Sequence, residues 1–143
     1  MQVLVNNEAV FENNIREEHY DYYQLGKELF FKKDFEAAGI EFAKSIAIND
    51  RNPDAYLFMG YFMTTNGQYD DALVFADKTL ALEPGYQAAN LMKAQIYLEK
   101  SNPDKAKVEL HRIINNKQYW YDYTPIYARK MLDDIESLTR VSE

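Results

Sequence analysis

The sequence contains no cysteine, only four prolines and five glycines, and a single tryptophan among its 143 residues. Without cysteine, disulfide bonds and thiolate metal sites are excluded, and we expect a compartment that is reducing or one whose redox chemistry the protein does not use. No apolar run approaches the roughly 18 residues that a membrane-spanning helix needs. The opening stretch, MQVLVNNEAVFENN, has neither the basic start nor the long apolar run of a signal peptide. We therefore expect a cytoplasmic protein without a membrane span.

Positive charge is also scarce. The 16 Lys and Arg residues are outnumbered by 23 Asp and Glu residues, which gives a formal net charge of −7. The acidic residues are spread along the whole chain, so the sequence does not predict a surface that follows a phosphate backbone. We expect no nucleic-acid partner.

Residues that could perform chemistry are few. The two histidines, His19 and His111, have no second metal ligand three or four residues away. The acidic pairs at 70–71 and 133–134 are neighbours on predicted helices, about 100° apart, so they do not form a facing acid and base. The sequence has no glycine-rich phosphate loop, nucleophile elbow or zinc signature. It therefore predicts no enzymatic activity, no cofactor and no metal.

Apolar and aromatic residues, in contrast, are abundant. Hydrophobic residues make up 47% of the chain, which is typical of one folded domain, although 12 Tyr and 8 Phe make the chain unusually aromatic. Within this composition a pattern recurs every 34 residues, as GKELFFKKDFEAA, GYFMTTNGQYDDA and AQIYLEKSNPDKA. Its small residues are Gly26, Gly60 and Ala94 at one phase and Ala38, Ala72 and Ala106 at another. Because small side chains let antiparallel helices cross closely, the pattern predicts pairs of helices.

The apolar residues between these small positions recur at helical intervals, and Asn52-Pro53 and Asn102-Pro103 are typical helix starts. The sequence therefore predicts an all-α chain. The predicted helices lie near 19–33, 35–48, 53–66, 69–82, 86–100 and 103–116. The face of the first helix that packs on its partner is assigned to Tyr22, Leu25, Gly26 and Leu29.

Two further helices are predicted at the ends of the chain. Residues 8–17 are expected to form a short N-terminal helix. After an aromatic connector at 118–123, Thr124-Pro125 predicts a last helix that ends near Arg140 and covers the open end of the array. Its inward face is predicted to be Ile126, Met131, Leu132, Ile135 and Leu138. Its outer polar side is predicted to be Arg129, Lys130, Asp133, Asp134 and Glu136.

The period, the small residues and the closing Pro84 resemble the tetratricopeptide repeat family. The resemblance covers about 19–120. It implies an α-solenoid of three helix-turn-helix repeats, at 19–52, 53–86 and 87–120, with an N-terminal segment at 1–18 and a capping helix at 124–140. The outer repeats depart from the family pattern at Asp50, Ala94, Pro103 and Gln118, which is typical of end repeats, since these contact a neighbour on one side only.

The resemblance implies that the first helix of each repeat lines a concave groove. The face about 200° from Tyr22 should lie in it. The predicted partner-binding residues are Tyr20, Tyr23, Lys27, Phe30, Leu57, Tyr61, Thr64, Leu91, Gln95 and Leu98, and Asp54 and Ala88 lie on the same stripes. This largely apolar surface favours an extended apolar segment of a partner protein. Alternatively, Tyr20, Tyr23 and Phe30 pack against the N-terminal segment or against each other.

Some members of the family bind a terminal carboxylate through Lys and Asn or Arg on this stripe. Here Tyr23, Leu57 and Leu91 occupy the positions where donors would be needed, so a buried carboxylate would be poorly compensated. Size, acidity, three repeats and an apolar groove resemble instead the class II chaperones of type III secretion, which hold hydrophobic translocator proteins in the cytoplasm. That resemblance implies a cytoplasmic adaptor or secretion chaperone.

A second hypothesis assigns the chain a structural role. It would then be a self-associating subunit, either as a homodimer or within a larger complex. The surfaces considered are the N-terminal helix and the connector aromatics Tyr119, Trp120, Tyr121 and Tyr123. Packing of these aromatics against the last helix is the competing interpretation.

Overall fold

A computed structural model describes residues 18–116 and 123–141, and within these ranges the chain forms seven α-helices and no strand. Helix α1 covers 18–31 of the described residues. The others are α2 (Phe35–Ile48), α3 (Pro53–Thr65), α4 (Tyr69–Leu82), α5 (Gln87–Glu99), α6 (Pro103–Asn115) and α7 (Thr124–Val141). The all-α prediction is confirmed, and the predicted ends of these helices agree to within two residues. The helix predicted at 8–17 lies outside the described residues.

Side-chain caps start three of the helices. The Asn52 side chain accepts a hydrogen bond from the backbone N–H of Asp54 at 3.1 Å, directly before Pro53. Asn102 accepts one from the backbone N–H of Lys105 at 3.2 Å in the same way. Each cap satisfies an N–H that the first turn leaves free, so both predicted starts are confirmed. Asp34 caps α2, which the sequence reading did not identify.

The turn inside each helix pair is built alike. Lys33, Gly67 and Ser101, spaced at the repeat interval, all have positive φ, at 66°, 72° and 56°. The next residue donates its backbone N–H to a carbonyl five residues back, at 2.9 Å in the first two turns and 2.8 Å in the third. This geometry closes the carbonyl end of a helix. Only Gly67 adopts the left-handed conformation without the steric cost of a Cβ atom.

The recurring glycines lie where side chains of other helices approach closely. A Cβ atom at Gly26 would lie 2.7 Å from the Phe42 ring of α2, and one at Gly60 would lie 2.7 Å from the sulfur of Met92. Gly26 therefore admits the helix of its own pair. Gly60 instead admits a side chain of α5, the first helix of the next repeat, so the same small position serves both kinds of packing.

The predicted inner face of α1 needs one correction. Tyr22 and Leu29 are partly buried and Gly26 is buried, as expected, but Leu25 is 44% exposed. The buried face is centred on Tyr23 and Gly26. Around the helix axis, Leu25 lies about 200° from Tyr23 and about 100° from Gly26, because each residue turns a helix by about 100°.

The core consists of three clusters, and each joins a helix pair to the first helix of the following pair. The first contains Tyr23, Ala38, Phe42, Ala55 and Met59. The second contains Leu57, Ala72, Ala76, Ala89, Met92 and Ile96. The third contains Ala94, Ala106, Leu110, Ile113, Ala128, Leu132 and Ile135. Because neighbouring units share their cores, no pair buries its apolar face alone.

Helix α7 occupies the place of the first helix of a fourth repeat. It contacts α6 and α5, just as α5 contacts α4 and α3. Ala128, fully buried, lies 34 residues after Ala94 and so continues the series of small residues. The sequence carried this signal, and the reading that treated α7 only as a cap missed it.

The predicted inward face of α7 is right in its centre and wrong at its ends. Leu132 and Ile135 are buried, and Met131 packs against their cluster. Ile126 and Leu138, however, are 68% and 74% exposed. Ile126 lies about 200° around the helix from Ala128, and Leu138 lies in the last turn of α7, beyond the buried Ile135.

Candidate functional site

The predicted partner-binding residues lie on the first helices α1, α3 and α5, and their exposure differs. Tyr20 is 56% exposed and Gln95 is also exposed. The half-buried members are Lys27, Phe30, Tyr61, Thr64, Leu91 and Leu98. These eight side chains offer surface to solvent along three successive first helices.

The other two candidates are buried. Tyr23 is 8% exposed and Leu57 is 4% exposed. The Tyr23 ring packs on Phe42 and Phe58, with ring centroids 6.2 Å apart in both pairs. Leu57 packs with Ala89 and Met92 of the next repeat. Both side chains are covered because α3 and α5 pack across them, so they support the surface from below.

Phe30 joins α1 to α3 through aromatic contacts. Its ring centroid lies 5.3 Å from that of Phe58 and 6.1 Å from that of Tyr61. Phe31, which is 71% exposed, meets Phe30 edge to face at 5.9 Å. We call Phe30, Phe31, Phe58 and Tyr61 the aromatic patch. Pairs at these distances are stabilising beyond the area they bury, so the patch is held in shape by its own contacts.

Two of the polar candidates, Lys27 and Thr64, contact neighbouring groups of the same chain. The Lys27 Nζ atom lies 5.2 Å from the centroid of the Tyr23 ring, a cation–π distance. The Thr64 hydroxyl donates to the carbonyl oxygen of Gly60, one turn earlier in α3, at 2.8 Å. The Lys27 ammonium and the Thr64 hydroxyl therefore do not converge on one point where both could bind the same ligand atom.

A tyrosine and a carboxylate form a polar centre at the start of α3. The Tyr86 hydroxyl donates a hydrogen bond to the Asp54 carboxylate. Burial and this bond raise the pKa of Tyr86. Burial, followed by the charge of Asp54 and by nearby Tyr20, raises the pKa of Tyr23 to about 12. Both phenols are therefore neutral at physiological pH.

The third repeat contributes an aliphatic surface. Leu91 and Leu98 are partly buried against the cluster that contains Ala94, Leu110 and Leu132. Gln95 lies between them in sequence and is exposed. We call the partly open side chains of Phe30, Tyr61, Leu91 and Leu98 the apolar row. It changes from aromatic on α1 and α3 to aliphatic on α5.

Sequence reasoning missed Phe31, Phe58 and Tyr86. Phe31 and Phe58 directly follow Phe30 and Leu57, which a strict helical stripe selects instead. Tyr86 lies at the boundary between two repeats, before α5, and reaches Asp54 across 32 residues of sequence. No local spacing could reveal that contact.

Neither of two further features occurs among the described residues. No group of three or more His, Cys, Asp or Glu side chains lies close enough together there to hold a metal ion. In the same ranges, none of the helices combines the length and apolar character needed to cross a membrane.

Two sequence models, both described as tetratricopeptide repeat, match the chain. One matches residues 22–52 and the other residues 63–118, so together they cover more than half of it. A search of curated proteins found no match.

Solved structures of similar fold include two in which a segment of a partner protein is bound. SycD of Yersinia enterocolitica in complex with a peptide of the translocator YopD is 19% identical, with a TM-score of 0.75 over 84% of this chain and 93% of that one. PcrH, from Pseudomonas aeruginosa, in complex with the chaperone-binding region of PopD is 15% identical, with a TM-score of 0.80 over 87% and 95%.

A third similar structure holds a different peptide. The first such domain of Spaghetti (RPAP3), bound to the HSP90 peptide SRMEEVD, is 14% identical, with a TM-score of 0.75 over 87% of this chain and 94% of that one. At these identities the likeness concerns the fold. The residues of the chain itself must therefore decide between an apolar and an acidic partner.

Proposed function

Because the chain belongs to the tetratricopeptide repeat family, we propose that it is a non-enzymatic protein-binding module whose first helices bind an extended apolar segment of a partner protein. The proposed contact residues are Tyr20, Lys27, Phe30, Tyr61, Thr64, Leu91, Gln95 and Leu98, with Tyr23 and Leu57 beneath them. The proposed domain organisation is a single array with repeats at 19–52, 53–86 and 87–120.

One observation carries this proposal, namely the apolar row that α1, α3 and α5 leave partly open. Phe30 and Tyr61 are half-buried and touch each other, while Leu91 and Leu98 continue the row on α5. Partly open apolar side chains on consecutive repeats are typical of a binding surface. An extended segment could place alternate side chains against successive first helices.

An acidic tail is a poor fit to the same row. Lys27 is the only cation among the candidate residues, and its ammonium group lies over the Tyr23 ring. Asp54 adds a negative charge next to Tyr23. A carboxylate bound there would lie near Lys27, which already contacts the Tyr23 ring, and near the like charge of Asp54. These contacts would not offset the cost of removing the carboxylate from water.

Within this function we propose the narrower role of a cytoplasmic secretion chaperone or adaptor. SycD and PcrH support it because their structures share the fold over most of both chains and hold segments of YopD and PopD. An apolar segment covered by this row would be kept from aggregating before its delivery.

The test is binding of fluorescently labelled Val- and Leu-rich extended peptides, measured by anisotropy beside labelled SRMEEVD. We expect the apolar peptides to bind and SRMEEVD not to bind. Tyr61→Glu and Tyr20→Glu should each weaken apolar binding by about 2 kcal/mol, or roughly 30-fold, because they place a charge in the contact surface.

Tyr127→Glu is the matched control. Tyr127 is 50% exposed on α7, away from the row, so its substitution should leave binding unchanged. Circular dichroism should show the same helix content in all three variants. Preferential binding of SRMEEVD, or equal loss of binding in the Tyr127 variant, would overturn the proposal.

A further inference from the structure

The second helices α2, α4 and α6 carry a repeated pattern on their outer sides. The sixth residue of each is a β-branched aliphatic residue that is more than half exposed: Ile40 at 58%, Val74 at 52% and Val108 at 51%. We call these three residues the outer ladder. They do not belong to the row on α1, α3 and α5.

Charged residues flank the outer ladder in a fixed order. The second residue of each helix is acidic and exposed, and these residues, Glu36, Asp70 and Asp104, form the acid row. The tenth residue of each is basic and exposed, and these residues, Lys44, Lys78 and Arg112, form the base row. Acid, aliphatic and basic residues four apart lie on one helix face. Within a helix the acid and the base are about 12 Å apart along the axis, so they do not pair with each other.

Helix stability explains only part of this pattern. Acidic residues in the first turn favour a helix through its dipole. Isoleucine and valine, in contrast, have lower helix propensity than the Glu, Lys or Ala that usually occupy exposed positions. Over half of each ladder side chain remains in contact with water. Neither helix propensity nor burial within the single chain therefore accounts for aliphatic residues at these three positions.

The charges of the two rows are only partly used. Lys44 pairs with Glu41 at 3.0 Å and Arg112 with Glu109 at 2.9 Å, yet their side chains remain 49% and 58% exposed. Asp70 pairs with Lys100 and is still 85% exposed. For Glu36 and Asp104 there is no ion pair within the described parts of the chain. The Lys44 Nζ atom also lies 5.5 Å from the Tyr22 ring, and the Lys78 Nζ atom lies 5.5 Å from the Tyr56 ring and 5.6 Å from the Phe75 ring. All six charged residues are nevertheless exposed, so both rows can reach an outside partner.

We propose that the outer ladder is a contact surface for a second copy of this chain. A two-fold axis along the ladder would place each aliphatic residue opposite itself. The same rotation brings the acid row of one copy over the base row of the other, because the two rows lie on opposite sides of the axis. This self-complementarity is what an isologous interface requires.

The contact is small. Three aliphatic side chains and their charged neighbours cover less than the roughly 800 Å² per partner of a standard stable interface. The dimer is accordingly weak and forms at micromolar concentrations or above. It leaves the first helices free, so binding to the proposed apolar row does not depend on it.

The test is the oligomeric state of the full chain by sedimentation velocity over a wide concentration range. Val74→Lys, which opposes two like charges at the middle of the ladder, should raise the dimer dissociation constant at least tenfold. Leu138→Lys makes the same kind of change on α7, where the side chain is 74% exposed, and should leave the dimer unchanged.

Charge reversal distinguishes this surface from any other. Lys78→Glu with Arg112→Glu leaves Lys44 as the single cation of the base row, and Asp70→Lys with Asp104→Lys leaves Glu36 as the single anion of the acid row, so each variant opposes like charges at two of three positions. Each variant alone should be monomeric, and an equal mixture should recover the dimer. A wild-type chain that stays monomeric throughout, a dimer that Val74→Lys leaves intact, or a mixture that does not associate would overturn the proposal.

Discussion

The second and third repeats place opposite chemistry at the same three positions. In the second repeat these are Tyr56, Met59 and Phe75, and the Tyr56 and Phe75 rings stack at 6.3 Å. Thirty-four residues later the same positions hold Asn90, Lys93 and Glu109, all buried. Asn90 donates to Glu109 at 2.9 Å, and Lys93 lies 3.3 Å from the same carboxylate.

The comparison separates what the repeat requires from what it tolerates. Ala72 and Ala106, at the crossing of each pair, are fully buried in both repeats. The helix pair therefore needs a small residue at the crossing, whereas the neighbouring positions accept either stacked rings or a hydrogen-bonded ion pair. The ionic set carries a desolvation cost that the apolar set does not.

Breaking the ionic set should have the largest effect. The Glu109 carboxylate, only 5% exposed, contacts Lys93, Asn90 and Arg112. Glu109→Ala removes that charge and leaves Lys93 with Asp77 alone, at 2.7 Å. We expect the free energy of unfolding to fall by about 3 kcal/mol, because an under-compensated charge stays buried. Urea unfolding measures this.

Lys100→Ala is the control for Glu109→Ala. It breaks the exposed pair with Asp70 and should cost less than about 0.5 kcal/mol. Equal losses in the two variants would mean that burial gives the ionic set no special weight.

Transplanting the second repeat's residues into the third sharpens the comparison. The triple variant Asn90→Tyr, Lys93→Met and Glu109→Phe removes all three buried polar groups together. Because the charges that lose their partners, Asp77 and Arg112, are 62% and 58% exposed, we expect stability between unchanged and about 2 kcal/mol higher. A loss as large as that of Glu109→Ala would show that the third repeat cannot accept the apolar set.

Alkaline pH should act on the third and the first repeats through different groups. Burial alone would lower the pKa of Lys93, but Asp77 and Glu109 raise it above its ordinary 10.5. A raised folded-state pKa contributes stability that is fully present below pH 10.5 and is lost as the pH rises through the raised value. Tyr23, raised to about 12, gives a loss of the same sign that begins near its ordinary pKa of about 10.

Urea unfolding at pH values from about 9 to about 12 measures this loss of the free energy of unfolding. Lys93→Met removes the titrating ammonium without adding a phenol, and this variant should lose less stability than the wild type over this range. If the two curves fall in parallel, Lys93 is not the group responsible.

The smallest expected effect concerns the turns. Lys33 has a φ of 66° where the second repeat has Gly67. Lys33→Gly should raise the free energy of unfolding by about 0.5 to 1 kcal/mol, because it removes a Cβ atom from a left-handed residue. Gly67→Ala is the reverse change and should lower it by a similar amount. Urea unfolding should show changes of opposite sign in the free energy of unfolding of the two variants, and changes of the same sign would contradict the prediction.

Much of the fold could be predicted because its signals are local. Asn52-Pro53 and Asn102-Pro103 fix helix starts through bonds within one turn. The candidate row was less predictable. Helical spacing selects the face that carries Tyr20, Tyr23 and Phe30, but it does not reveal that Tyr23 is covered by Phe42 and Phe58.

The sequence by itself determined the helices, their pairing and the phase of the small residues, since each follows from spacing along one chain segment. The tertiary structure decided which apolar side chains are covered. Leu57 is sealed by the next repeat, Leu138 is left open at the last helix, and Lys93 is placed between two acids. The physical reason is that burial depends on the side chains of a neighbouring repeat, which helical periodicity does not encode.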